Sequence, residues 1–317
     1  VNFIERSFRL EADEGLGGKP RPELIGPILT HLHDTLQDTV RMGFLHSSRA
    51  RGRVPAALKS AADVRYLGHS ADGANATLLH FQVAPFGEAA AELFNQQRLW
   101  DEGPQPDQTA FELLGSALCD VAGHRADSNR FDPALLRRIA SYRRMFGRGR
   151  LQRIALPDTV LPQPGQLDSS VANAAKELSD ATPTSQRVRI TGRLDLMGAS
   201  QGVLKLHLEP GAIVTAIWEG DTPLETLTSF FNRDVVIEGL AVFRPSGSLL
   251  RVDADAIAAA KTSDEFFRHL PTGVLDRDFA KLAQLRPGEK SVYARILGSI
   301  PGEESDEEFA AAVEALS

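Results

Sequence analysis

The sequence has one cysteine, Cys119, in 317 residues. No intrachain disulfide and no cysteine-built zinc site can form, and a reducing cytoplasm is the expected setting. There is no run of about 18 apolar residues and no basic segment ahead of an apolar stretch near Val1, so neither a membrane span nor a secretory signal is expected. Aromatic residues make up only 7%, and the few in 186–258 supply base stacking poorly. An excess of positive charge is also missing. The 35 basic residues face 42 acidic ones for a net charge of −7, a mild argument against a general nucleic-acid binder.

That net charge is unevenly spread. Residues 299–317 hold six acids and no base, so the rest of the chain stands at −1. Residues 125–153 hold nine arginines against Asp127 and Asp132. The charge therefore describes one acidic segment and one basic stretch on a nearly neutral body.

What is present is ordinary globular composition, 42% hydrophobic and 24% charged, in a length that suggests two domains. The expected class is α+β: an N-terminal antiparallel sheet with helices over 1–156. A Pro/Gly-containing linker and short helix follow over 157–185, then a β-barrel over 186–260 and a helical C-terminal region with an acidic tail over 261–317. Residues 3–11 read as a strand. Leu24, Ile25, Ile28, Leu29, Leu32, Leu36, Val40 and Phe44 are spaced by three and four, which predicts a helix over 22–45. Asp63–Gly68 and Ala76–Val83 flank Asp72-Gly73 and predict a hairpin. Helices are expected near 87–99, 107–123 and 132–147, with Asp107 and Asp132 as N-caps and Pro133 at a first helical position. A short strand near 151–155 closes the N-terminal sheet.

Residues 186–258 give three alternating strands, a short helix over 222–231, and two more strands. This order resembles the OB-fold, a five-stranded Greek-key barrel. Its outer face would carry Lys205, His207 and Trp218, with Arg187, Arg189, Arg193, Arg244 and Arg251 nearby. Further helical pieces are expected near 262–270, 276–285 and 305–316.

No catalytic, metal-binding or cofactor-binding residue is assigned. Gly15-Leu16-Gly17-Gly18-Lys19 is followed by Pro20 and lacks the hydroxyl of a phosphate loop. His31 and His33 point to different sides of a helix, and Cys119 with His124 reads as core and surface. The basic stretch offers Arg137, Arg138, Arg143, Arg144, Arg148 and Arg150 as phosphate contacts. His46-Ser47-Ser48-Arg49-Ala50-Arg51-Gly52-Arg53 is a second basic segment.

Near the carboxyl end runs Gly298-Ser299-Ile300-Pro301-Gly302-Glu303-Glu304-Ser305-Asp306-Glu307-Glu308-Phe309. It resembles the toxin-binding tails of bacterial type II antitoxins paired with PIN-domain nucleases, with Ile300 where such tails carry an aromatic. The resemblance implies a non-catalytic protein that neutralises a partner nuclease encoded nearby. Tyr293, Ile296, Leu297, Ile300 and Phe309 would be apolar anchors, and Arg295 would reach acidic metal-binding residues of the nuclease. Glu303, Glu304, Asp306 and Glu307 would face its basic RNA-binding surface. A nucleic-acid-binding protein using the barrel and the arginines is the second reading. An enzyme with a site assembled from distant residues such as His31, Asp34 and Arg65 is the third.

Overall fold

A computed structural model describes residues 2–12, 20, 22–49, 54–94, 103–147, 150–157, 165–198, 202–208, 211–218, 220 and 227–273. The chain divides into two units, Val1–Gly273 and Val274–Ser317. The expected helices near 276–285 and 305–316 lie outside the described residues, as does the glycine loop 15–19.

The first sheet has five antiparallel strands. They are β1 (Ile4–Ala12), β2 (Arg65–Ala71), β3 (Ala76–Val83), β4 (Leu151–Ala155) and β5 (Gln166–Asp168), in the spatial order β2-β3-β1-β4-β5. The β2–β3 hairpin turns at Asp72-Gly73, where Gly73 has φ +82, a conformation that lacks steric cost only for glycine. One face of this sheet carries Phe8, Leu10, Leu79, Phe81, Ile154 and Leu167 into the main core. Phe8 meets Phe111 at 4.7 Å and Phe81 at 5.6 Å between ring centroids.

The covering helices are α1 (Pro22–Leu45), α2 (Ala56–Ala61), α3 (Phe86–Ala89), α4 (Ala110–Ala122), α5 (Pro133–Ser141) and α6 (Ser169–Ala181). The predicted stripe of α1 does face the core, since Ile28, Leu32, Leu36, Val40 and Phe44 are all buried. Helix α4 begins later than expected. Thr109 caps it in place of Asp107, its hydroxyl accepting from the Phe111 amide at 3.2 Å while Glu112 reaches back to the Thr109 amide at 2.8 Å. That reciprocal pair is a capping box. Of the helix expected over 87–99, the described part is α3 and a 3-10 turn at Ala91–Phe94. The amides of Phe86 and Gly87 are taken by the carbonyls of Gln108 and Pro106, and Ala90 leaves the helical region at φ −147. Asp132 caps α5 as expected, accepting from Ala134 and Leu135. That helix ends at Ser141 and passes into a 3-10 turn, Tyr142–Met145.

The stretch expected as linker and short helix contains β5 and α6. Helix α6 buries Val171, Ala172, Ala174, Ala175 and Leu178 in the same core as the sheet, because its apolar positions recur at three and four.

The second sheet is a closed five-stranded barrel of β6 (Gln186–Gly198), β7 (Val203–Leu208), β8 (Ala212–Trp218), β9 (Asp234–Phe243) and β10 (Leu249–Ala259). Its order is β10-β8-β7-β6-β9, and β10 with β8 is its parallel pair. The long β6 makes closure possible by pairing with β9 over Gln186–Arg193 and with β7 over Arg193–Gly198. The switch falls beside Gly192, where a Cβ would lie 2.9 Å from the His207 carbonyl oxygen, so only glycine fits. Ile190, Leu194, Leu204, Leu206, Ile237 and Val252 fill the interior. Of the helix expected over 222–231, the described part contains a 3-10 turn, Thr228–Phe230, and the piece near 262–270 is a 3-10 turn, Thr262–Phe267.

Candidate functional site

The cations expected on the outer barrel surface are engaged by this chain's own polar groups. Arg187 forks onto Asp255 at 2.8 and 3.0 Å. Arg189 meets Glu238 at 2.9 Å and lies over the Phe267 ring at 5.1 Å. Arg193 donates to Asn232 at 2.8 Å, and His207 sits 3.1 Å from Asp195. The Arg189–Glu238 and His207–Asp195 contacts join neighbouring strands, β6 with β9 and β6 with β7, where cross-strand side chains meet. The expected phosphate-facing row is therefore largely an internal ion-pair lattice.

Arg244 and Arg251 differ again, because they tie the barrel to the loop before α5. Arg244 donates to Asn129 at 3.1 Å. Arg251, 6% exposed, reaches Asp132 at 3.2 Å, Asp253 at 2.7 Å and the His46 carbonyl at 3.0 Å. Asp132 also accepts from the Ser48 amide and hydroxyl at 3.0 and 2.6 Å. Burial pushes the Asp132 carboxyl up, but the Arg251 charge and the hydrogen bonds from Ser48 and Leu135 outweigh it, and the group lies below its ordinary range.

The basic stretch divides. Arg138 is a structural ion pair, bridging Asp38 and, at 3.2 Å, Asp34 of α1. Desolvation nevertheless leaves Asp38 above its ordinary range, opposed by the Arg138 hydrogen bond. Arg137, Arg143, Arg144 and Arg150 are exposed, and none has an acidic partner among the described residues. Arg148 lies outside the described residues. In the second basic segment Arg49 is exposed, while Arg51 and Arg53 lie outside them.

The distant trio suggested for catalysis is not assembled by its contacts. His31 bonds the Pro27 carbonyl at 3.0 Å, Asp34 meets Arg138, and Arg65 meets Asp63 at 2.7 Å. Burial raises the Cys119 thiol, and His124 faces Glu177 at 3.3 Å. No group of three metal-ligating side chains occurs among the described residues, and no described helix is long and apolar enough to cross a membrane. The carboxyl-terminal candidates Tyr293, Arg295, Ile296, Leu297, Ile300, Glu303, Glu304, Asp306, Glu307 and Phe309 lie outside the described residues.

Sequence reasoning missed a groove of about 900 Å³ between α1, α4 and the 125–130 loop. Asp120 sits at its polar end with Arg125 and Arg130, at 3.0 and 2.8 Å. The signal was local, an acid near a helix end with arginines five and ten residues on, but the arginines were counted only as charge. The loop is two-faced. Arg125, Ser128 and Arg130 turn to Asp120, while Asp127 accepts from Ser246 and Ser248 of the barrel.

The class defined by this architecture is an α+β body carrying a five-stranded closed barrel. No family model, curated protein or solved structure matches the chain.

Proposed function

We propose that this chain is a non-catalytic binding protein that docks and neutralises a small PIN-type nuclease through residues 290–317. The observation that carries this is the run Gly298–Phe309, with its acids following Pro301-Gly302 and apolar residues on either side. An acidic segment with spaced apolar anchors matches a partner with a basic, RNA-binding surface, where complementary charge steers encounter and apolar anchors hold the complex. The barrel supports the same reading. Its strand order is compatible with an OB-like module, and its outer Arg187 and Arg189 are paired with Asp255 and Glu238. That favours a protein-docking or structural module over a phosphate track.

Co-expression with the product of the neighbouring reading frame tests the proposal. The expected outcome is a stable complex that is lost when 290–317 is deleted. A complex that survives the deletion, or no co-purifying partner, overturns it.

A second reading rests on a different observation, four exposed arginines without acidic partners among the described residues. Arg137, Arg143, Arg144 and Arg150 would contact a phosphate backbone, in keeping with an antitoxin that also binds its operator. Binding should weaken steeply with salt, and reversal of Arg137, Arg143 and Arg144 to glutamate should flatten that dependence by about three units of slope. A filter-binding or anisotropy series in salt reads this directly, and undetectable binding at low ionic strength removes it.

A further inference from the structure

The partner-docking reading makes no use of the groove beside α4, and the groove has its own chemistry. Asp120 is 3% exposed and holds two cations, Arg125 on Oδ1 and Arg130 on Oδ2. The Ser128 hydroxyl donates to Oδ2 at 2.7 Å. Both guanidinium side chains stay open to solvent, at 70% and 54% exposure. Neither has a second acidic partner among the described residues. A guanidinium carries five N–H donors, so each keeps most of them for another acceptor. Asp127 also borders the groove, but its Oδ1 is held by the barrel serines.

Away from this polar end the lining is half-buried Leu113 with the buried Met42 and Pro104, and half-buried Gln108 and Ser116. The Gln108 amide oxygen accepts from the Gln105 backbone at 2.9 Å, which leaves its amino group to donate. The groove thus joins a pair of fixed cations to an apolar wall with a few polar atoms. Its volume is that of an ordinary small-molecule site.

The geometry points to a phosphorylated ligand of mononucleotide size, with its phosphate on Arg125 and Arg130 and its base over Leu113. A carboxylate is saturated by one guanidinium fork. A phosphate monoester has three terminal oxygens and a charge near −2, and takes both. Because Asp120 holds both arginines before the ligand arrives, less side-chain freedom is lost on binding. An apolar wall with an amide donor beside it suits a flat ring with polar edges better than a phosphosugar. This assignment does not depend on the partner-docking reading.

Calorimetric titration of the full chain tests it, with AMP, GMP, CMP and UMP against inorganic phosphate and adenosine. At least one mononucleotide should bind, with inorganic phosphate and adenosine each at least about tenfold weaker. Arg125→Gln should weaken nucleotide binding about tenfold. Ser116→Phe should fill the wall and remove binding. Arg125 is exposed and outside the core, so that variant keeps its fold, and a melting curve for each variant checks this. The assignment is overturned if none of the four nucleotides binds at millimolar concentration, or if binding survives both substitutions. Inorganic phosphate binding as tightly as the best nucleotide also overturns it.

Discussion

Asp132 joins three parts of this protein. It caps α5, fixes Ser48 after α1 and receives Arg251 from the barrel, while only 2% exposed. Removing one partner of a buried pair leaves the other charged and unpaired, a loss of about 3–5 kcal/mol. Asp132→Ala is expected to fall in that range by urea denaturation, with Arg251→Ala close behind. Its pH dependence follows from the lowered carboxyl. The folded form binds this proton less tightly than the unfolded chain, so the stabilisation is present above the ordinary carboxylate range and is lost as pH falls through it. The gap in urea midpoint between wild type and Asp132→Asn should therefore be wide at pH 7 and narrow toward pH 3. Asp38 has the opposite sign, since its carboxyl is raised. Its contribution is present at low pH and is lost as pH rises, so Asp38→Asn should be the milder change at neutral pH. A wider loss for Asp38→Asn than for Asp132→Asn at pH 7 would contradict this ordering.

Among the elements, α4 shows what local sequence can and cannot reveal. Thr109 and Glu112 have capping-box spacing, and the cap is expected to contribute about 1 kcal/mol. Thr109→Ala should lower the unfolding free energy by that amount, read from the urea curve. Glu112→Ala should cost more, because Glu112 also holds Arg6 of β1 at 3.0 Å. The first half of that argument was legible in four consecutive residues; the second was not, because Arg6 and Glu112 lie 106 positions apart. The same division runs through the whole fold. Helix α1, the β2–β3 hairpin and the barrel strands follow from periodicity and turn residues, which act within a few positions. The fate of the arginines does not. Arg138 finds Asp34 and Asp38 about 100 residues away, and Arg187 finds Asp255 at a separation of 68. A count of charge along the chain cannot see such partners, so it overstated the barrel's positive surface. The edge strand β2 is another element with a reason of its own. Its residues are almost all exposed, and a register shift between Tyr66 and Gly68 leaves Leu67 as an extra residue. A bulge spoils the straight row of donors and acceptors that another strand could pair with. Deleting Leu67 is expected to straighten the edge and raise self-association, read as a concentration-dependent shift in size-exclusion elution.

At the scale of the described molecule, the sheet-and-helix body and the barrel share a core. Val242 of β9 and Leu250 of β10 are buried with the cluster formed by α1, α4, α5 and the first sheet, not with the barrel's own interior. Arg251 and Arg244 add polar ties along the same seam. Two regions that bury side chains in one another cannot unfold separately without exposing that surface, so their unfolding should be one cooperative event. Two probes separate them. Helices α1 and α4 precede the barrel, so pulsed hydrogen exchange of their amides follows the first region. The chain has two tryptophans, and Trp218 is on β8. With Trp100→Phe as background, Trp218 fluorescence follows the barrel. The two curves should coincide in urea. Leu250→Ala should shift both by the same amount, with a loss of about 2–4 kcal/mol for a truncated core leucine. A barrel held to its neighbour only by surface contacts would give two midpoints, and Leu250→Ala would move them apart. Coincident curves that shift together would mean that β9 and β10 fold as part of both layers. The loop from Gly123 to Asp132 would then connect them, with the groove on one side and the barrel on the other.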